Sequence, residues 1–120
     1  MPNRVVRAII PAGEAVSNPI DLGDDSSRLG LILEGGWSDA GLSFLVGGGE
    51  QGEFRSLYDD AGVEVAIDRL SLSPGRAISL TTPALREALA PWRYIKIRSG
   101  TVAAPVDQLA DRTIVVSTEH

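Results

Sequence analysis

Glycine and proline cut this chain into short pieces, and the pieces between them alternate. With 13 Gly and 7 Pro in 120 residues, the uninterrupted runs are rich in β-branched and aliphatic residues and about five to seven residues long. The strand candidates are Arg4–Ile10, Ala15–Leu22, Arg28–Glu34, Leu42–Val46, Glu53–Tyr58, Val63–Ile67, Arg76–Leu80, Trp92–Arg98 and Arg112–Thr118. Leu29, Leu31 and Leu33 share one side of their strand, as do Leu42, Phe44 and Val46. Val63, Val65 and Ile67 face one way with Glu64 opposite. Ile95 and Ile97 face away from Tyr94, Lys96 and Arg98. A strand that alternates in this way buries one face only, and two sheets packed face to face satisfy every such strand together.

One segment breaks the pattern. Thr82-Pro83-Ala84-Leu85-Arg86-Glu87-Ala88-Leu89-Ala90 offers Thr82 as an N-cap, proline at the first helical position and an i, i+4 leucine pair, and Pro91 ends it. The expectation is an all-β antiparallel sandwich, jelly-roll-like, with one short helix or turn near residues 83–90. The length fits one domain over residues 1–120, with roughly two-thirds of its surface buried on folding. Residues 1–11 read either as part of the sandwich or as an N-terminal arm that pairs with a neighbour.

Charge and side-chain inventory narrow the function. The formal net charge is −5 and the isoelectric point about 4.7. An acidic chain is a poor partner for nucleic acid, whose affinity rests on neutralised phosphates. There is no Cys, and the single His is His120. That removes thiol nucleophiles, cysteine zinc sites and an ordinary Ser-His-Asp triad, so no enzymatic role and no cofactor are expected. No apolar run reaches the ~18 residues a membrane span needs, and Arg7 interrupts the short apolar stretch that would otherwise suggest a signal peptide. Synthesis in the cytoplasm without secretion is the expectation.

Several motifs reduce to turns. Gly47-Gly48-Gly49-Glu50-Gln51-Gly52 matches G-x-G-x-x-G, but that loop holds pyrophosphate only when it opens a helix, and Glu53–Tyr58 reads as a strand. Asp59-Asp60-Ala61-Gly62 has the chemistry of a hairpin turn. Its functional alternative is a calcium site shared with Asp24, Asp25 or Asp39, yet no spaced ligand loop is present. Nothing marks any pair among the 16 acids for glycoside hydrolysis. Trp37 and Trp92 are the candidates for stacking on a glycan, against the plainer reading of packing with the ring N–H paired. Of the 11 basic residues all but Lys96 are Arg, the residue favoured at interfaces. A GC-rich genome also raises Arg over Lys, and both readings stay open.

The stretches Leu57-Tyr58-Asp59-Asp60-Ala61-Gly62 and Trp92-Arg93-Tyr94-Ile95-Lys96-Ile97-Arg98-Ser99-Gly100-Thr101 resemble short proteins encoded among the structural genes of tailed phages, prophages and gene transfer agents. So do Pro11–Ser17, Ile20–Gly23, Ala103–Val106 and Ala110–Arg112. The resemblance implies a virion component, most simply a homo-oligomeric ring or cluster that joins a spike or fibre protein to the capsid protein as a head-spike base. A tail-tip or decoration protein is the nearby alternative. A weaker resemblance, carried by Phe44–Tyr58 and Trp92–Ile97, runs to discoidin-like carbohydrate-binding sandwiches and implies a module that attaches a particle to cell-surface polysaccharide. This chain lacks their terminal cysteines and their Ser-Asp-Gly hairpin. For the assembly reading the candidate contacts are Val5, Val6, Ile9 and Ile10 near the N-terminus, the Arg93, Lys96 and Arg98 face, and Ile114 with Val116 in the last strand.

Overall fold

The computed structural model describes residues 3–23, 28–33, 37, 40–49, 51–68 and 77–119. Its strands are β1 (Asn3–Ile10), β2 (Ile20–Asp21), β3 (Arg28–Leu33), β4 (Leu42–Gly47), β5 (Phe54–Ser56), β6 (Ala66–Ile67), β7 (Ala77–Ser79), β8 (Tyr94–Ser99) and β9 (Arg112–Glu119), with one helix, α1 (Pro83–Leu89). A four-stranded sheet runs β1-β9-β3-β7 and a five-stranded sheet runs β2-β8-β4-β5, with β6 also on β4. All the ladders between these strands are antiparallel. The chain changes sheet at almost every connection, and its first and last strands end up side by side. This is the two-sheet jelly-roll arrangement that the alternation calls for.

Period-two patterning supplies the core. Ala8, Ile10, Leu31, Leu33, Ile114 and Val116 point inward from the first sheet. Leu42, Phe44, Val46, Ile95 and Ile97 meet them from the second. Phe44 is fully covered, and truncating such a residue costs about 3–5 kcal/mol. Helix α1 follows Thr82 with proline at its first turn, and Leu89 closes one end of the core. Thr82 makes no side-chain cap bond; its carbonyl accepts the Arg86 amide instead.

Several expected strands are shorter than their sequence pattern, Glu53–Tyr58 contracting to the three residues of β5. Ala15–Leu22 is interrupted between an isolated bridge at Val16 and β2 at Ile20–Asp21. Pro19 has no N–H to give, and the Ser17 hydroxyl stands in as acceptor for the Ile97 amide at 2.9 Å. Val63–Ile67 contracts to β6, because Asp59 captures the turn before it. Asp59 Oδ1 accepts the Ala61 and Val63 amides at 2.9 Å each, and Gly62 takes the left-handed conformation at φ 81°. Val63 is left 61% exposed instead of facing inward with Val65. Glu34 and Arg76, at the ends of two expected strands, lie outside the described residues.

Candidate functional site

With its core filled, the sandwich presents two outer sheet faces, the edges of the sheets and the loops at either end. On the four-stranded sheet the outward positions of β1 are Val5, Arg7 and Ile9. In register across the sheet, Arg7 lies beside Val115, Val115 beside Ile32 and Ile32 beside Ala77. Val5, Ile9 and Ile32 are 54%, 44% and 41% exposed. These three apolar side chains are exposed on a mixed outer face: Arg7 separates Val5 from Ile9, and the register sets Val5 beside Ser117 and Ile9 beside Thr113.

Among the described residues no strand pairs with the outer edge of β1. Among the described residues the edge strand β7 has three residues, β2 two and β5 three, which is short enough to discourage pairing with a stranger. β1 has eight residues and pairs along its whole length with β9. Residues 3–10 are therefore built into the sheet, and their free side is its margin. At its far end the Ile9 amide donates to Asn18 Oδ1 at 2.7 Å and the Ile9 carbonyl accepts the Asn18 amide at 3.3 Å, and near its start Arg4 pairs with Asp21 of β2 at 3.9 Å.

The other residues singled out from sequence fall into three groups. Val5 and Ile9 are at the surface and Val6 is half-buried, but Ile10, Ile114 and Val116 are fully covered. Their alternation turns them inward, so they hold the two sheets together. Arg93 and Lys96 lie on the outer face of the five-stranded sheet. Arg93 donates to Asp21 through Nε at 2.9 Å and Nη2 at 3.1 Å, and its guanidinium carbon is 5.4 Å from the Tyr94 ring centre. Lys96 Nζ sits 4.8 Å from the Phe54 ring centre. The Phe54 ring lies close over Gly47, where an added Cβ would meet it at 3.2 Å.

Arg98 belongs inside. Its Nε donates to Ser43 Oγ at 2.9 Å, Nη1 to Ser56 Oγ at 3.1 Å and Nη2 to Glu64 Oε2 at 2.9 Å. Glu64 Oε2 also accepts the Val102 amide at 3.0 Å. The network straps the β5–β6 hairpin and the loop after β8 to the sheet. Strand alternation assigns Arg98 to the outer face correctly; the hairpin that covers that face is not visible in a period-two pattern.

Trp37 is likewise enclosed. It is 8% exposed and its Nε1–H donates to the Ala40 carbonyl at 3.1 Å, so its ring is not presented to a sugar. Trp92 is 37% exposed, just past α1. The glycine-rich loop is followed by β5, not by a helix. Asp24, Asp25 and Asp39, the partners of the calcium alternative, lie outside the described residues. Among the described residues no group of three His, Cys, Asp or Glu side chains is placed to hold a metal ion, and no helix is long and apolar enough to cross a membrane.

No protein-family model matches the chain, and no curated protein is significantly similar to it. The fold does have a solved counterpart. The crystal structure of the SPBc2 prophage-derived protein YomS superposes with a TM-score of 0.51 at 11% identity, over 98% of this chain and 95% of that one. The two share their fold from end to end. Of the N-terminal contact candidates, Val5 and Ile9 recur in phase on the outer side of β1, whose opposite side supplies the core.

Proposed function

We propose that this chain is a non-enzymatic structural subunit of a phage-like particle. It is made in the bacterial cytoplasm and assembles as an oligomer that connects a spike or fibre to the capsid. The observation that carries this reading is the long β1 edge, with the exposed Val5 and Ile9 side chains on the outer face beside it. A lone monomer gains nothing from such a surface, and an assembly covers it. The prophage origin of YomS, whose fold matches along almost the whole chain, supports placing that assembly in a virion. The side-chain inventory agrees, with no Cys and a single His. On this reading the −5 charge keeps the free subunit dispersed until it assembles.

The test is to purify particles from a producing culture on a density gradient, then quantify the chain by mass spectrometry and label it with gold-conjugated antibody. Co-migration with the capsid protein at a fixed copy ratio, with labelled particles, is the expected result. A chain that stays at the top of the gradient and labels no particle overturns the proposal.

A further inference from the structure

We propose that β1 is a self-pairing edge: two copies of this chain join their four-stranded sheets antiparallel across a two-fold axis at Val5. The inference rests on the assembly reading above and names its first partner as a second copy.

The backbone parity of β1 carries it. The Ile9 amide and carbonyl both turn outward, to Asn18. In an antiparallel strand the two groups of one residue point the same way and successive residues alternate. The β1–β9 register is continuous, so Arg7, Val5 and Asn3 also turn their amides and carbonyls outward, while residues 4, 6, 8 and 10 bond to β9. Asn18 closes the edge at Ile9, and among the described residues no strand pairs with residues 3, 5 and 7 on that side.

Only registers that match outward residues with outward residues make hydrogen bonds. Centring the axis on Arg7 sets two guanidinium groups opposite each other and pairs Val5 with the blocked Ile9. Centring it on Val6 pairs Val5 with Arg7 and again drives Asn3 against Ile9. Centring it on Val5 uses all three of these residues and sets only position 1, at the chain's start, opposite the blocked Ile9: Val5 meets Val5 and Arg7 meets Asn3, for about six main-chain hydrogen bonds. That seam contains no like-charge pair. It brings the two Val5 side chains together on the axis, the same surface meeting itself as an isologous interface requires.

The chain has no Cys, so single-cysteine variants report the register cleanly. Opposed Val5 residues lie about 5.5 Å apart at Cα, within disulfide reach. Full-length wild-type protein is expected to sediment at twice its 12.7 kDa mass. Val5→Cys is expected to oxidise to a covalent dimer at least tenfold faster than Arg7→Cys. Val5→Pro removes an outward N–H and no internal ladder bond, so it should leave the circular dichroism unchanged and yield monomer. If that proline variant does not fold, Val5→Lys sets two ammonium groups on the axis and should also yield monomer. Wild-type monomer at ~0.5 mM, equal cross-linking at both cysteines, or a Val5→Lys variant still dimeric overturns the proposal. A Val5-centred dimer that never enters particles leaves this inference standing and removes the particle reading. A particle-bound chain that is monomeric in solution and does not cross-link at Val5 does the reverse.

Discussion

Arg98 Nη2, on β8, donates to Glu64 Oε2, in the β5–β6 hairpin 34 positions earlier in the chain, at 2.9 Å. Both side chains are largely buried, at 9% and 18% exposure, and the remaining Arg98 donors reach Ser43 and Ser56. The pair fastens a hairpin to a sheet.

Removing one partner of a covered ion pair strands the other. Arg98→Ala should cost about 2–4 kcal/mol of folding stability, and Glu64→Gln about 1–2 kcal/mol because an amide oxygen still accepts the Val102 N–H. Urea unfolding monitored by fluorescence measures both. A neutral Arg98→Ala would mean that the guanidinium is not enclosed as described.

Asp21 gives the fold an acid-sensitive contact. The hydrogen bond from Arg93 lowers its carboxyl below the ordinary value of 3.8; partial burial opposes this, and the Gly23 amide and the charges of Arg93 and Arg4 assist. A depressed carboxylate stabilises the fold above its unfolded value, and the contribution is lost as pH falls through the lower folded value. The expected gap between wild type and Asp21→Asn is about 0.5–1 kcal/mol near neutrality, since the pair is partly exposed, and it should close in acid as pH falls through the lowered folded value. Urea midpoints from about pH 6 to pH 2 trace it. A gap that widens in acid would have the wrong sign.

Gly100 holds a bend that no other residue fits. Its φ is 90°, and a Cβ there would collide with the Ala104 carbonyl oxygen and press on the Val106 amide. Gly100→Ala should lose about 2–4 kcal/mol. Gly62→Ala shares the positive φ but meets nothing within 4 Å, so it should lose only about 1 kcal/mol. Thermal melts of the two variants rank them, and the reverse order contradicts the described turn.

The two tryptophans should be spectroscopically distinct. A Trp92→Phe variant leaves Trp37, buried and bonded to the Ala40 carbonyl, with blue-shifted emission and poor acrylamide quenching. A Trp37→Phe variant leaves the half-exposed Trp92, red-shifted and readily quenched. Matching spectra would refute the burial difference on which the loss of Trp37 as a sugar platform rests.

Much of this fold is legible in the sequence because its strands bury one face each. Leu42, Phe44 and Val46 announce β4, and Ile95 with Ile97 announces β8, since alternation and burial are the same fact for a two-sheet protein. The turn at Asp59–Gly62 is legible for the same local reason. Failures come where a distant segment intervenes. Arg98 alternates outward, and only the returning hairpin with Glu64 encloses it. Trp37 sits outside any regular run, so nothing local fixes its burial. Ile10, Ile114 and Val116 are apolar and near the termini, which suits a surface contact as well as a core. The phase that Ile10 shares with Ala8, and Ile114 with Val116, already places them inward. The open edge at β1 needs the strand order, which follows from jelly-roll closure and not from any residue in β1.

The most direct measurement is cryo-electron microscopy of particles from the wild-type producer and from a strain deleted for this chain. The predicted result is several copies of the sandwich at the junction between capsid and spike or fibre, and particles without that appendage in the deletion strain. Identical particles from both strains, with no density for the sandwich in either, would contradict the account.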